Sequence, residues 1–326
     1  MREIEIASNE AGQRLDKMLA KYLKEAPKSF LYKMLRKKNI VLNGKKATGN
    51  EKLVVGDSVK LFLAEDTIAK FSGEELKIGK STVKLDIIYE DADVVFINKP
   101  VGMLSQRAKD TDRSLNEHLL SYLKESSQIT EQELKTFHPA VCNRLDRNTS
   151  GLIAAGKSLT GLQKLSEMFR ERTLRKFYRC LVKGRVTETR KLEGYLVKDM
   201  RTNRVTVSED AGEGNDPGDY IETEYCPVAT GRDVSLLEVH LITGKTHQIR
   251  SHLASIGHPI VGDYKYGDRE VNDSFKKQYG LQSQLLHSYR MEFPVMEEQL
   301  SQLSEQIFVA ELPKLFSEII KDRGVI

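Results

Sequence analysis

The chain has 326 residues, 39% of them hydrophobic and 30% charged, which is the composition of a globular protein of about two domains. No stretch approaches the roughly 20 apolar residues of a membrane span, and the start lacks a basic-then-apolar secretory signal, so we expect a cytoplasmic protein. The net charge of +4 points only weakly to nucleic acid, and three widely spaced cysteines, Cys142, Cys180 and Cys226, argue against disulfides and a thiolate zinc site.

The first sixty or so residues are predicted to form a small α/β unit. Apolar residues at helical spacing predict an amphipathic helix over residues 14–23. A second helix is predicted to begin with Ser29 as its N-cap and to end at Asn39. The dipeptide Asn43-Gly44 predicts a tight hairpin, and alternating apolar residues predict a further strand pair within residues 53–63.

This unit carries a run of positive charge between residues 28 and 46, where no acidic residue occurs. The basic residues are Lys28, Lys33, Arg36, Lys37, Lys38, Lys45 and Lys46. Uncompensated cations on a compact unit favour phosphate binding, although a solvated basic face is the plain alternative. The order of helix, basic helix and hairpin resembles the RNA-binding domain named after ribosomal small-subunit protein S-four. We therefore predict an RNA-binding domain over residues 1–64 and a polar, irregular linker over residues 65–84.

A second domain is predicted from residue 85 to residue 326. It begins with two strands within residues 87–97, ended by Pro100, and a helix over residues 115–123. In the next segment Asp146 lies between two arginines and precedes a buried strand over residues 151–155. A carboxylate between two guanidiniums at the mouth of a sheet is a candidate site, although the same residues are also ordinary turn formers.

The middle of this domain combines aromatic and basic residues. A helix capped by Ser158 is predicted to lead into a segment in which cations surround Phe177 and Tyr178. The cations are Arg170, Arg172, Arg175, Lys176 and Arg179. Base stacking and phosphate attraction require this combination, so the segment is a candidate RNA contact, with Arg175 and Lys176 as its predicted RNA-binding residues.

The last third is predicted to alternate strands and helices. Strands are predicted over residues 221–228, 234–243, 259–263 and 285–293. One helix is predicted to open within residues 244–252 and to stop at Gly257, and another is predicted over residues 312–321. His247 and His252 are five residues apart, which does not suit a two-histidine metal site on one helix face. Strands outnumber helices and short turns join many of them, so we predict an α+β fold with a mixed, largely antiparallel sheet.

Several motifs then occur in the order typical of one family. They are Lys99-Pro100-Val101-Gly102, Arg144-Leu145-Asp146-Arg147-Asn148-Thr149-Ser150-Gly151, the segment from Lys176 to Gly184 with its Lys-x-Tyr start, Thr246-His247-Gln248-Ile249-Arg250, the segment from Gly257 to Asp263, and Leu286-His287. Over residues 87–294 the chain is similar to RluA-type pseudouridine synthases. With its N-terminal unit it resembles the branch that modifies large-subunit ribosomal RNA.

The resemblance implies isomerisation of uridine in RNA to pseudouridine, without a cofactor or a metal. Asp146 matches the catalytic aspartate, Arg250 matches the basic residue that pairs with it, and Tyr178 matches the tyrosine that stacks on the target base. We therefore expect these three residues to be catalytic and RNA to be the partner of a monomeric, non-membrane protein.

The resemblance also implies a set of substrate-binding residues. Arg144 matches a residue that helps to hold the extruded nucleotide, and Leu286 is expected to contact the base. Arg147 and His247 are expected to bind the substrate with them. The chain departs from the family at Asn143, where histidine is usual, so we expect the departure to affect the RNA contact or the loop geometry at that position.

Two other functions compete with this interpretation. One is a catalytically silent RNA-binding or ribosome-assembly factor, against which the joint presence of Asp146, Tyr178 and Arg250 weighs. The other is a hydrolase with Ser150 as nucleophile beside His138 and Asp146, although no Gly-x-Ser-x-Gly motif surrounds Ser150.

Overall fold

The structure is a computed structural model that describes residues 1–7, 9–73, 79, 81, 83–109, 111–199, 204–208, 210–211 and 218–325. Within these residues the strands form one four-stranded sheet near the N-terminus and one 11-stranded sheet in the remainder. None of the described helices combines the length and apolar character needed to cross a membrane.

The N-terminal unit packs two helices against a small antiparallel sheet. Its elements are β1 (Arg2–Glu5), α1 (Leu15–Tyr22), α2 (Lys28–Arg36), β2 (Ile40–Leu42), β3 (Lys45–Lys46) and β4 (Ser58–Leu61). The first helix and the hairpin are confirmed, and Asn43 and Gly44 both have the positive φ that a tight hairpin turn requires. The predicted cap at Ser29 is wrong, because α2 begins at Lys28 after Pro27. Residues 53–55 form no strand, since β4 pairs with β1 and β2 instead.

The segment predicted as an irregular linker begins with a helix, α3 (Glu65–Ser72). Its apolar residues extend the core of the N-terminal unit, because Ile68 is buried there and Phe71 lies 4.6 Å from Phe30 between ring centroids. The apolar face of α3 is short, with two residues among polar ones. This pattern has too little helical periodicity of apolar residues to predict a helix. Residues 74–78, 80 and 82 of the predicted linker lie outside the described residues.

The large sheet has the predicted α+β character. Its strands are β5 (Ile87–Glu90), β6 (Val94–Lys99), β7 (Ala140–Val141), β8 (Ser150–Gly156), β9 (Arg175–Lys183), β10 (Arg190–Asp199), β11 (Arg204–Ser208), β12 (Asp219–Thr230), β13 (Val234–Leu241), β14 (Leu286–Glu292) and β15 (Ile307–Val309). The main order is β11-β10-β12-β13-β9-β14-β8-β6-β5, with β15 on β14 and β7 on β8. Only the β14–β8 pairing of the described strands is parallel. The sheet is therefore mixed and largely antiparallel, as predicted.

Helices cover this sheet, and one of them was not predicted. They are α4 (Leu115–Glu125), α5 (Leu159–Glu171), α6 (Gln248–Ser255), α7 (Arg269–Tyr279) and α8 (Lys314–Asp322), and 3₁₀ turns occur at Glu133–Lys135 and Ser301–Leu303. Helix α7 was not predicted, because Phe275 is its only fully buried apolar residue and most of its other residues are polar. The strand predicted over residues 259–263 is wrong, since only Ile260 makes a bridge, to Val182.

The parallel contact between β8 and β14 depends on one glycine. Gly151 has φ +110°, and a Cβ atom there would lie 2.2 Å from the Ser288 carbonyl oxygen. Any other residue would therefore push the two strands apart. The loop that ends in β8 is the loop of Asp146, so this close approach brings Asp146 towards β14 and its neighbour β9.

Candidate functional site

A cavity of about 780 Å³ lies where the loop before β8, strand β9, the start of α6 and the start of β14 meet. All the residues predicted from the resemblance as catalytic or substrate-binding line it. They are Asp146, Tyr178, Arg250, Arg144, Arg147, His247 and Leu286. Residues that are far apart in the sequence thus share one cavity.

Asp146 and Arg250 form an ion pair in this cavity, with 2.7 Å between Oδ2 and Nη1. The Asp146 side chain is 29% exposed and the Arg250 side chain 9%. The carboxylate is therefore accessible to a bound molecule, whereas the guanidinium is fixed in the wall. A partly desolvated pair of this kind is stronger than an ion pair on the surface.

Arg250 is fixed from behind by a second carboxylate, Asp263. Its Nε and Nη2 donate to Asp263 at 2.7 and 2.9 Å, and the backbone N–H groups of Lys265 and Tyr266 donate to the same carboxylate. Burial raises the pKa of Asp263, but the hydrogen bonds and charge of Arg250 outweigh this and lower the pKa below its usual value. Sequence reasoning placed Asp263 in a motif without giving it a role, because a motif does not show which carboxylate an arginine contacts.

His247 lies beside the ion pair at the start of α6, with a left-handed backbone (φ +58°). Its Nε2 is 3.8 Å from Asp146 Oδ2, and its Nδ1 is 2.9 Å from the Tyr266 hydroxyl. That hydroxyl accepts from the Val205 N–H, so its own proton is free to bond Nδ1. Burial, partly opposed by the charge of Asp146, lowers the pKa of His247, which favours a neutral imidazole with its proton on Nε2. Tyr266 was missed by the sequence analysis.

Tyr178 and Leu286 belong to the apolar part of the wall. Both are buried, with 6% and 5% exposure, and they belong to the main hydrophobic core. Burial raises the pKa of Tyr178 to about 12, so its phenol stays protonated at neutral pH. An apolar wall opposite a carboxylate suits a flat base that carries polar edges.

Asn143, the residue that departs from the family, hydrogen bonds to the backbone of β8. Its Oδ1 accepts from the Ala154 N–H at 2.8 Å, and its Nδ2 donates to the Leu152 carbonyl at 3.3 Å. The side chain therefore fixes the loop of Asp146 to the strand that follows it. This contact gives Asn143 a structural role that the sequence did not reveal.

Lys99 also fixes the loop of Asp146, through hydrogen bonds to backbone carbonyls. The side chain is fully buried, and its ammonium donates to the carbonyls of Pro100, Met103 and Arg147 at 3.0, 2.9 and 3.2 Å. Burial lowers the pKa of Lys99 to about 8, although the charge of Asp146 opposes the shift. Arg147 makes two hydrogen bonds to Gly102. Its carbonyl accepts from the Gly102 N–H, and its Nε donates to the Gly102 carbonyl.

The competing hydrolase site is not assembled. Ser150 is 2% exposed, and its hydroxyl lies 2.8 Å from Nδ1 of His287, whose Nε2 lies 3.1 Å from the Ala310 carbonyl. Neither Ser150 nor His138 lines the cavity of Asp146. The proposed grouping of Ser150, His138 and Asp146 is therefore wrong, and Ser150 belongs to a buried polar contact between β8 and β14.

The predicted RNA-binding residues occupy three different environments. Six of them are exposed on the N-terminal unit and have no ion pair with the described part of the chain: Lys33, Arg36, Lys37, Lys38, Lys45 and Lys46. Lys176 lines the cavity. Arg175 does not line it and pairs with Glu292 at 2.8 Å. Across the described residues, no cluster of three or more potential metal ligands occurs.

Comparisons with known proteins show which family the chain resembles and which fold it shares. The chain matches the family model of RNA pseudouridylate synthase over residues 93–255. It is 31% identical to ribosomal large subunit pseudouridine synthase C of Vibrio cholerae, over 91% of this chain and 90% of that protein. It is 32% identical to an uncharacterized RNA pseudouridine synthase of Aquifex aeolicus, over 78% of this chain and 77% of that protein. The solved structure of human RNA pseudouridylate synthase domain containing 4 has the same fold, with a TM-score of 0.58 and 22% identity over 73% of this chain and 92% of that chain.

Proposed function

Since the chain belongs to the RNA pseudouridylate synthase family, we propose that it converts specific uridines of large-subunit ribosomal RNA to pseudouridine and that Asp146 is its catalytic carboxylate. The choice of RNA is supported by the names of relatives that align over most of their length, including those of Vibrio cholerae and Vibrio vulnificus. The exposed cations of the N-terminal unit support a second contact with the same RNA.

One observation carries the assignment of Asp146. Among the described residues that line the cavity, it is the only acidic one, and it is paired with Arg250 at 2.7 Å. The reaction needs a carboxylate that can reach the sugar or the base, and the partial exposure of Asp146 meets that need. Arg250 keeps the carboxylate in place, because its own guanidinium is fixed to Asp263.

The reaction breaks the N1–C1′ bond of uridine and joins C5 to C1′. The C5 proton is lost to solvent, and N1 gains a proton, so no cofactor or oxidant is needed. Asp146 serves in one of three ways: attack on C1′, attack on C6 of the base, or removal of a proton in an elimination across C1′ and C2′. All three routes use the same carboxylate at the same place.

The apolar wall and Arg144 contribute to binding of the extruded nucleotide. A stacked uridine hides C1′ and C5, so the nucleotide must leave its helix at a cost of a few kcal/mol. Tyr178 and Leu286 offer a flat apolar surface that replaces part of the lost stacking. Arg144 is exposed at the cavity wall and is expected to hold the extruded nucleotide.

The test is release of tritium from RNA labelled at uridine C5. Wild type is expected to release tritium from large-subunit ribosomal RNA. The rate of release by Asp146→Ala is expected to be at least about 10⁴-fold lower, which is the scale of the loss when the central group of a nucleophilic site is removed. Mapping of pseudouridines in ribosomal RNA with and without the protein identifies the target. Equal release by wild type and Asp146→Ala would remove Asp146 from the mechanism, and absence of release by wild type from ribosomal RNA would reject the substrate.

A further inference from the structure

The cavity wall contains more positive charge than its acidic residues balance. Several of its cations are paired: Arg107 with Glu117, Arg170 with Glu171, Lys245 with Asp219, and Arg250 with Asp146 and Asp263. The side chains of three others, Arg144, Arg172 and Lys176, make no hydrogen bond and no ion pair within the described part of the chain. An anionic ligand would supply the opposite charge to these three side chains.

Lys176 is the most unusual of the three. It is only 7% exposed, although lysine normally extends its ammonium into water. Burial and the charge of Arg172 lower the pKa of Lys176 to about 8. The ammonium lies beside Gly244, where a Cβ atom would be 3.6 Å from Nζ. A largely desolvated ammonium with no carboxylate partner among the described residues destabilises the free protein, and the cavity that Lys176 lines is where a ligand can reach it.

Arg172 shows a similar conflict in its backbone. It ends α5 in the left-handed conformation, with φ +61°, and its N–H bonds to the Met168 carbonyl. Glycine is the residue that this position favours, because other side chains are strained there. The guanidinium reaches the cavity wall next to Lys176, and the two like charges repel each other. An anion between them would relieve both the repulsion and the desolvation of Lys176.

We propose that Lys176 and Arg172 bind the backbone phosphodiester next to the target uridine. The location rests on the proposed function, in which Tyr178 contacts the base. Lys176 and Tyr178 are two residues apart on β9, so their side chains are on the same face, about 7 Å apart along the strand. A base held at Tyr178 therefore brings its own sugar-phosphate backbone towards Lys176.

The first test measures affinity for large-subunit ribosomal RNA at several salt concentrations. Lys176→Met keeps the apolar stem and removes the charge, and it is expected to weaken binding by about tenfold or more at low salt. The slope of log affinity against log salt should become shallower by about 0.7, the value for one phosphate contact on a single strand. Arg172→Met should act in the same direction.

A matched control separates this role from a structural one. Lys183→Met removes a lysine from the other end of β9, where it pairs with Asp268 on the surface, and it should leave the slope unchanged. Because Lys176→Met removes a desolvated charge, its melting temperature should be equal to or higher than that of wild type. A lower melting temperature together with an unchanged salt slope would overturn the proposal.

The second test neutralises single phosphates in the RNA. A fragment that contains the mapped uridine is made with a methylphosphonate at either linkage beside that uridine. For wild type, the methylphosphonate at one of the two linkages should lower the affinity for the RNA. For Lys176→Met, the methylphosphonate at that linkage should cause no further loss of affinity, because the contact is already absent. Equal losses by the two proteins at both linkages would refute the site. Absence of tritium release by wild type would refute the proposed function instead, so the two failures are distinguishable.

Discussion

Asp263 determines the orientation in which Arg250 contacts Asp146, because one guanidinium donates hydrogen bonds to both carboxylates. Asp263 takes two of its N–H groups, which leaves Nη1 for Asp146. Without the charge of Asp263, the guanidinium could turn and bind Asp146 with two N–H groups, which would make that carboxylate less reactive. We therefore propose that Asp263 is a positioning residue, because it contacts Arg250 and does not itself line the cavity.

Asp263→Asn is expected to lower the single-turnover rate of tritium release by about 100-fold, the scale for a misplaced reacting group. Affinity for RNA should change much less, because Asp263 lies behind the cavity wall. The buried contact is also weakened, so we expect a loss of unfolding free energy of about 3 kcal/mol. The rate is to be measured well below the melting temperature of the variant, and an unchanged rate there would show that Asp263 only stabilises the fold.

The pKa of Lys176 predicts how binding depends on pH. The pKa in the free protein is lowered to about 8, and a phosphate would raise it, so the charged form is favoured by binding. RNA affinity should therefore be full below pH 8 and should fall as the pH rises above it. The other charged groups that line the same cavity are Arg107, Arg144, Asp146, Arg147, Arg170, Arg172, Lys245 and Arg250, and His247 is a further titratable group there.

The control for this pH dependence is Lys176→Arg, since guanidinium stays charged throughout the range. Its affinity should not fall between pH 7 and about 9, measured by the same binding assay. Lys99 also has a pKa lowered to about 8 and remains in both proteins, so any pH dependence that it causes will be common to them. The same loss of affinity in both proteins would assign the titration to Lys99 or another group.

At the scale of single elements, the loop of Asp146 is held to β8 by Asn143. Asn143→Ala removes two hydrogen bonds to the backbone of that strand and leaves the Ala154 N–H without its partner. We expect a loss of about 1–3 kcal/mol in the free energy of unfolding, measured by denaturant titration. Asn148→Ala, in the same loop but exposed, should change it by about 0.5 kcal/mol or less. Equal effects of the two changes would contradict the role of Asn143.

Elements with strong local patterns were predictable, and those that depend on distant partners were not. The helix α1 has four buried apolar residues at helical spacing, and β12 and β13 alternate around one turn. By contrast, half of the residues of β10 are charged, and β10 pairs with β12, which lies further along the chain. The order of motifs named Asp146, Tyr178 and Arg250, but the partners Asp263, Tyr266 and Lys99 became visible only in three dimensions.

At the scale of the whole molecule, the N-terminal unit is attached to the large domain through polar contacts. Thr136 donates to Glu10, a buried residue, and Asn9 donates to Glu133 at 3.4 Å. The exposed cations of this unit are separate from the cavity and its lining residues. We therefore infer that the unit contributes affinity for RNA, while the cavity determines the rate of the reaction.

This division of labour predicts the effect of removing charge from the N-terminal unit. Lys33→Gln, Lys37→Gln and Lys45→Gln combined should raise KM for ribosomal RNA and leave kcat unchanged, because none of the three lines the cavity. If each contacts one phosphate, the salt slope of binding should become shallower by about 2. KM and kcat are to be measured by tritium release.

The matched control removes the same amount of charge elsewhere. Lys276, Lys277 and Lys314 are exposed and belong to α7 and α8, outside both the N-terminal unit and the cavity. Their combined change to Gln alters the net charge equally, so any general attraction for RNA falls by the same amount. An equal rise of KM in both triple variants would mean that total charge, and not a binding face on the N-terminal unit, attracts the RNA. A fall of kcat only in the N-terminal variant would mean that this unit also acts on the reaction itself.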